Sequence, residues 1–218
     1  MKSKSRISTF LKMSTENSIS WAFFSVTAYF RHHLIEKWKF IYFELDLGLT
    51  SFSLPESDSS LKIREATPKD IEKIKLDLYP HMSEKQDYDK RYIEQIGTNK
   101  CTCFIAEFDK KLIHYFMVFE SAINSPLMQS PFDKNKLFKC DAYIGNAFTV
   151  KGTRGHSVTT YVLLQIIKYL QKDKNISRAI LLVHKDTPGA VGFFSRLGFK
   201  IIKNAESKTL TSKFLARN

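Results

Sequence analysis

The sequence predicts an α/β fold of the α+β kind: a mixed, mostly antiparallel central sheet flanked by helices on both faces. Three observations predict it. Two aromatic-rich runs flank Asp109-Lys110-Lys111 and read as a hairpin, so neighbouring strands run antiparallel. An apolar run ending at Val150 passes into a basic, glycine-containing turn and then into an amphipathic helix pattern from Val158 to Leu170. The core ILLV, Ile180 to Val183, is apolar at every position, as a strand buried on both faces would be.

The elements follow in chain order. Residues 1 to about 16 read as a disordered start, and residues 18 to 37 as a helix carrying Trp21, Phe24, Ala28 and Ile35 on one side. Lys39 to Leu47, KFIYFELDL, reads as a strand because aromatic and β-branched residues are enriched there. A Ser-rich linker follows to residue 60. The expected organisation is an N-terminal helix-strand appendage over 1–60 and one large domain over 61–218.

That domain opens with LKIREA, alternating apolar and polar, a half-buried strand. Thr67-Pro68, with Asp70 in the first turn, is a helix start signal, and Pro80 ends that helix after Leu78. A second helix is expected over Glu84 to Ile96. The hairpin comes next, then a loop over 121–139 broken by Pro126 and Pro131, then a strand over Asp141 to Val150. After the long helix, a strand over Ile176 to Val183 leads to another helix, begun by Thr187-Pro188 and stopped at Gly198. Phe199 to Ile202 and the run LTSKFLA are the last expected strands. The resulting order is β-α-α-β-β-β-α-β-α-β, which calls for helices on both sides of the sheet.

Composition narrows the function. A hydrophobic fraction of 43% is ordinary for a globular core. The net charge of +12 implies an anionic partner: nucleic acid, a membrane surface or a phosphorylated cofactor. Residues 1–60 carry only +1 of it, so the anion-binding surface is expected on the main domain, at +11. Three cysteines, Cys101, Cys103 and Cys140, are too few and too far from any His or Cys at ligand spacing for a zinc site, and their odd number suits a reducing compartment. The start, MKSKSRISTFLKMSTENS, lacks the apolar run and cleavage site of a signal peptide. Trp21 to Phe30 is about half the length that spans a bilayer. The expectation is a cytoplasmic protein with no transmembrane segment. Arg31-His32-His33 reads as a solvated face, because adjacent residues diverge on a helix.

Two stretches resemble the GNAT acyltransferase superfamily, over about residues 61–205. Val150-Lys151-Gly152-Thr153-Arg154-Gly155-His156-Ser157-Val158 is similar to that family's strand-turn-helix, V-x-P-x-x-R-G-x-G, one residue shorter and without Pro. Thr187 to Phe199, TPGAVGFFSRLGF, is similar to N-x-x-A-x-x-L-Y-x-x-x-G-F. LKIREATPKDIEKI also resembles the family's opening strand and helix. The resemblance implies acetyl-CoA as cofactor, its pyrophosphate docked on the helix N-terminus, where backbone N–H groups lack partners. It implies a cofactor site of Phe148, Thr149, Val150, Arg154, Gly155, His156, Ser157, Val158, Thr159 and Phe194. Lys151 adds positive charge. Ser157 and Thr159 stand where the family has Gly or Ala. Phe194 stands where it often has a Tyr that protonates the leaving thiolate; Tyr161, His156 and Ser195 are substitutes, and core packing is the plainer role for Phe194.

The implied reaction is direct attack of an amine on the thioester, which needs a base, fixed donors for the oxyanion and a proton for the thiolate. The resemblance puts the donors among the backbone N–H groups of Phe148, Thr149 and Val150. Glu120, Asp141 and Tyr143 are the catalytic candidates. His114, inside LIHYFMVF, reads as a half-buried, hydrogen-bonded His. Asn146 either orients substrate or bonds the sheet edge. The expected acceptor is a small-molecule amine, an amino sugar or amino acid, with a homodimer through the N-terminal segment as an expected assembly and nucleic acid not the first choice of partner. The alternative is a catalytically impaired member of the fold that binds nucleic acid or an acidic partner. A third expectation is peripheral membrane attachment through residues 21–30.

Overall fold

A computed structural model describes residues 35–50, 60–82, 87–98, 101–130, 132–153, 157–187 and 189–210. The chain divides into two compact units: Lys39–Ala205, and Met1–Trp38 together with Glu206–Asn218. Of the second unit, residues 35–38 and 206–210 are described and continue two strands. The expected disordered start, the body of the helix over 18–37 and most of LTSKFLA lie outside the described residues. Positions 35–37 of that expected helix belong to a strand instead.

The described strands form one seven-stranded sheet. They are β1 (Ile35–Asp46), β2 (Leu61–Glu65), β3 (Thr102–Phe108), β4 (Lys111–Phe119), β5 (Asp141–Thr149), β6 (Arg178–His184) and β7 (Lys200–Leu210), in the spatial order β2-β3-β4-β5-β6-β1-β7. The α-helices are α1 (Ile71–Asp77), α2 (Asp87–Ile93), α3 (Val158–Lys172) and α4 (Ala190–Arg196). Every pairing is antiparallel from β2 to β5, and β5 with β6 is parallel. The mixed, mostly antiparallel sheet with helices on both faces is therefore as expected. The strand expected over Lys39 to Leu47 forms, but it pairs antiparallel with β6, Phe40 opposite His184 through Asp46 opposite Arg178.

Two apolar layers cover the sheet, and strand periodicity builds them. Along β4, Tyr115, Met117 and Phe119 face one layer while Phe116 and Val118 face the other. The first layer receives Ile74 of α1 and Leu78 at its C-cap, Ile93 of α2, and Leu127, Phe132 and Leu137 of the 121–139 segment. The second receives the apolar stripe of α3, Val158 through Leu170, and Ala190 and Phe194 of α4. With both faces covered, β4 is buried from Leu112 to Phe119.

Local sequence explains most boundaries. Asp109 and Lys110 both take positive φ, 49° and 66°, the pair of left-handed residues that a two-residue hairpin requires. The Asp70 carboxylate accepts from the backbone N–H and the hydroxyl of Thr67, 2.8 and 2.9 Å away, and pairs with both terminal nitrogens of Arg64. That single group starts α1 and ties it to β2. The second helix is shorter than its expected span, Glu84 to Ile96, ending at Ile93. The last begins at Ala190 with Gly189 as N-cap, not at Thr187-Pro188. Gly198, at φ 79°, ends it in the left-handed conformation that glycine adopts without strain. The 121–139 segment carries three short 3₁₀ turns rather than plain loop, with Ala122, Leu127, Phe132 and Leu137 in the first apolar layer.

Candidate active site

The site begins where two parallel strands part. β5 and β6 pair only from Asp141 opposite Arg178 to Ile144 opposite Leu181. β5 then runs on to Thr149 and β6 to His184 without pairing to each other. A sheet interrupted at its centre leaves backbone donors and acceptors facing a gap, which an extended ligand can satisfy as an added strand would. The N–H of Val150 donates to the Ile113 carbonyl on β4, 2.9 Å away. Ladder groups alternate sides, so those of Phe148 also face β4 while those of Ala147 turn toward β6. Of the three N–H groups expected to face the reacting oxygen, those of Val150 and Phe148 thus turn to β4 and that of Thr149 turns toward the gap. Ala147 is exposed in the middle of the sheet, which marks the gap as open.

A bulge sits at the parting point. The β4–β5 register passes from Phe116 opposite Ala147 to Met117 opposite Gly145, so Asn146 faces no partner residue. Asn146 takes φ 55°, a conformation that Asn tolerates better than most residues, and its side-chain nitrogen is buried with no protein partner. Beside it, a Cβ added to Gly145 would collide with the hydroxyl and the ring tip of Tyr143, meeting Cε1 at 2.6 Å. Tyr143 therefore lies flat along the strand and carries its hydroxyl to the bulge. Its ring stacks on Phe119, 5.8 Å between centroids. A Gly-Asn pair interrupting an apolar strand is the signal that could have located this bulge from the sequence.

The far side of the gap leads to the N-terminus of α3, a helix of 15 residues. Ser157 is its N-cap, left-handed at φ 56° and ψ 10°, and its side chain makes no cap bond. The first-turn N–H groups of the helix consequently have no cap from that residue. Thr159, in that first turn, approaches Thr149 of β5, oxygen to oxygen 3.5 Å. Thr149 is in turn 2.7 Å from His114 Nδ1. His114 is fully buried, its Nε2 has no partner, and burial pushes its pKa down from 6.5 to about 3, so the imidazole is neutral. Arg154, Gly155 and His156, the other expected turn residues, lie outside the described residues.

The remaining expected site residues fall elsewhere. Glu120 accepts a hydrogen bond from the Tyr169 hydroxyl on α3, on the face opposite Tyr143, and stands three residues beyond Met117, about 10 Å along the strand. Glu120 and Tyr143 are not brought together. Asp141 shares the Tyr143 face but is fully buried, both its oxygens bound to Arg178 at 2.9 and 2.7 Å, with the Phe138 N–H at 2.7 Å as well. Those partners occupy the carboxylate as a structural anchor. Phe194 packs in the α3 layer against Phe43, Phe193 and Phe199, centroids 5.5, 4.9 and 5.7 Å away. Val158 is buried in the same layer. Among the described residues no cluster of His, Cys, Asp or Glu has the makings of a metal site, and no helix is long and apolar enough to cross a membrane.

A strand gap, a bulge with an orphaned donor and a 15-residue helix whose N-cap side chain makes no cap bond are features that suit an extended acyl thioester carrying a phosphate-rich tail. Comparisons with known proteins agree. The pattern of the Acetyltransferase (GNAT) family matches residues 69–199, more than half of the chain. No curated protein sequence matches it. Among solved structures, it is similar to a putative acetyltransferase of the GNAT family from Novosphingobium aromaticivorans, at TM-score 0.53 and 11% identity over 81% of this chain and 65% of that one. It is similar to a tandem GNAT protein from the clavulanic acid biosynthesis pathway, at 0.56 and 14% over 84% and 58%. It is also similar to the glucosamine N-acetyltransferase region of a fungal multi-domain β-N-acetylglucosaminidase, at 0.58 and 10% over 88% and 23%. The chain thus spans less than two thirds of each of these three, and identities so low speak for the fold alone. Sequence pattern and architecture together place the chain in the GNAT acetyltransferase family, a fold that implies acyl transfer from acetyl-CoA.

Proposed function

We propose that the protein transfers an acetyl group from acetyl-CoA to the amine of a small molecule by direct attack. The observation that carries this is the parting of β5 and β6 after Ile144 and Leu181, at the place where Tyr143 and Asn146 converge. Bound there, acetyl-CoA supplies a thioester whose carbonyl carbon is open to a nucleophile. The protein's residues then have separable tasks. The Ala147 backbone, turned toward the gap, and the Asn146 amide donate hydrogen bonds to the ligand's carbonyl groups. The first-turn N–H groups of α3 hold the anionic tail. The Tyr143 hydroxyl, at the bulge, carries the proton that must reach the departing sulfur, a task Phe194 cannot perform.

Amino sugars are the first acceptors to screen, because one neighbour in fold is a glucosamine N-acetyltransferase region. The experiment is release of free thiol from acetyl-CoA across a panel of amines and amino acids, with a titration of acetyl-CoA alone alongside. Amine-dependent thiol release that Tyr143→Phe suppresses supports the assignment. Tight binding of acetyl-CoA without thiol release for any amine would make the cleft a binding site and not a catalytic one. No binding by folded protein would overturn it entirely.

A further inference from the structure

The gap between β5 and β6 closes at its inner end. The last two residue pairs before the strands part set Tyr143 opposite Ile180 and Ile144 opposite Leu181. Neighbours along a strand point to opposite faces, so the first pair lies in the first apolar layer and the second pair in the other. All four side chains are buried. Ile144 and Leu181 share their layer with Val162, Ile166 and Phe194, so that face is filled by α3 and α4.

The other face offers one place where a strand residue leaves room. Gly145 is the first residue of β5 past the last pair, and it has no side chain. The ring of Tyr143 takes up that room: a Cβ at Gly145 would collide with the hydroxyl and the ring tip, meeting Cε1 at 2.6 Å. Behind the ring stands Phe119, stacked at 5.8 Å between centroids, and Phe119 meets the edge of Tyr92 at 5.4 Å. A packed aromatic group of this kind yields little to an added methylene.

We propose that the Tyr143 ring is a specificity-determining wall of the acyl pocket, limiting the donor to acetyl-CoA and excluding longer acyl-CoAs. The proposal rests on the acetyl-transfer reading above, in which the Tyr143 hydroxyl serves the departing sulfur. The acyl carbon is bonded to that sulfur, so the ring that carries the hydroxyl borders the acyl chain. Tyr143 then has two tasks on different atoms: the hydroxyl moves the proton, and the ring sets the chain length.

The test is calorimetric titration with coenzyme A, acetyl-CoA and butyryl-CoA, together with kcat/KM for thiol release from the two thioesters with one amine. The parent should favour acetyl-CoA over butyryl-CoA by roughly tenfold or more in affinity and in kcat/KM, as a pocket that misfits a methylene does. Tyr143→Phe should keep that preference while losing rate. Tyr143→Ala should bring the two thioesters to within about threefold of each other, since the extra methylenes then have space. Both variants lack the hydroxyl, so the difference between them belongs to the ring. Coenzyme A has no acyl group and should bind all three proteins alike. General damage to the site would weaken all three ligands together and leave their ratio unchanged. Should Tyr143→Ala not fold, Tyr143→Leu, which keeps an apolar side chain and shortens the wall, takes its place. Equal affinity of the parent for the two thioesters would overturn the proposal while leaving the acetyl-transfer reading standing. So would a preference in the folded Ala or Leu variant as strong as that of Tyr143→Phe. Failure of the parent to bind any of the three ligands overturns both.

Discussion

The ring of Tyr143 lies across the Cα of Gly145, two residues further along the same strand, so closely that no side chain larger than hydrogen fits at Gly145. Two residues apart on a strand share a face, and here the larger one leans over the smaller. The glycine is there to let the phenol reach the bulge. Gly145→Ala should therefore cost about 1–3 kcal/mol of stability, as overpacking does, read from urea denaturation. Tyr143→Phe should keep the stability within about 1 kcal/mol and lower kcat by roughly a hundredfold, with KM for acetyl-CoA little changed. Equal activity in Tyr143→Phe would remove the hydroxyl from the chemistry.

Ser157 is a non-glycine residue at φ 56°. The left-handed conformation costs a residue with a Cβ about 1–2 kcal/mol, and the side chain earns no cap bond in return. Ser157→Gly should stabilise the protein by about 0.5–1 kcal/mol after allowing for the freer unfolded chain. A shift of the urea midpoint to lower concentration would show that the serine hydroxyl has a partner in solution that outweighs the strain.

Arg178 bridges three strands, bonding Asp141 of β5 and, at 2.8 Å, Glu44 of β1. The Asp141 and Glu44 carboxylates beside it hold its guanidinium firmly in the charged form. Removing one partner strands a buried charge. Arg178→Met should destabilise by about 3–5 kcal/mol in equilibrium unfolding, and Arg178→Met combined with Asp141→Leu should recover most of the loss. If the double variant is as unstable as the single, burial of the Asp141 charge is not the source of the cost.

Stability should fall in acid in two separable windows. The buried His114 resists protonation in the folded protein, with a pKa of about 3 against an ordinary 6.5. The unfolded chain therefore binds the proton first, and stability declines as pH falls from about 6.5 toward 3, by up to about 1.4 kcal/mol per pH unit. Asp70 has the opposite charge and the same sign of effect. Its bonds to Arg64 hold its pKa well below the ordinary 3.8, so the stability it contributes is complete above that value and is lost only as pH falls below it. Unfolding free energies between pH 7 and 4 for the parent and for His114→Phe should differ in slope, the variant being flatter. Parallel curves would mean that His114 is hydrated in solution.

Much of the fold was legible because it depends on short-range pattern. The hairpin at Asp109-Lys110, the α1 start at Thr67 to Asp70 and the stripe of α3 each follow from a handful of adjacent residues. The site was legible in part. The strand before the α3 turn was marked by its residues, while residues 154–156 of the turn lie outside the described residues. The carboxylate candidates were not placed by sequence, because strand periodicity says which residues share a face but not which end of the sheet is open. Asp141 and Tyr143 do share a face, yet Arg178, 37 positions later, takes up the first. Glu120 looks as available as Tyr143 in the sequence, and only the position of α3 shows that it faces the other way.

By itself, then, the sequence determined the kinds and order of the elements from β2 onward and the mixed sheet they build, since hydrophobic period, caps and turn residues act over a few residues. Tertiary structure alone decided that β1 enters the sheet beside β6, that β5 and β6 part after four residue pairs, and that Tyr143 leans over Gly145 beside the bulge at Asn146. Those depend on register between strands far apart in sequence, which is set by the fit of two whole apolar layers and not by any local signal.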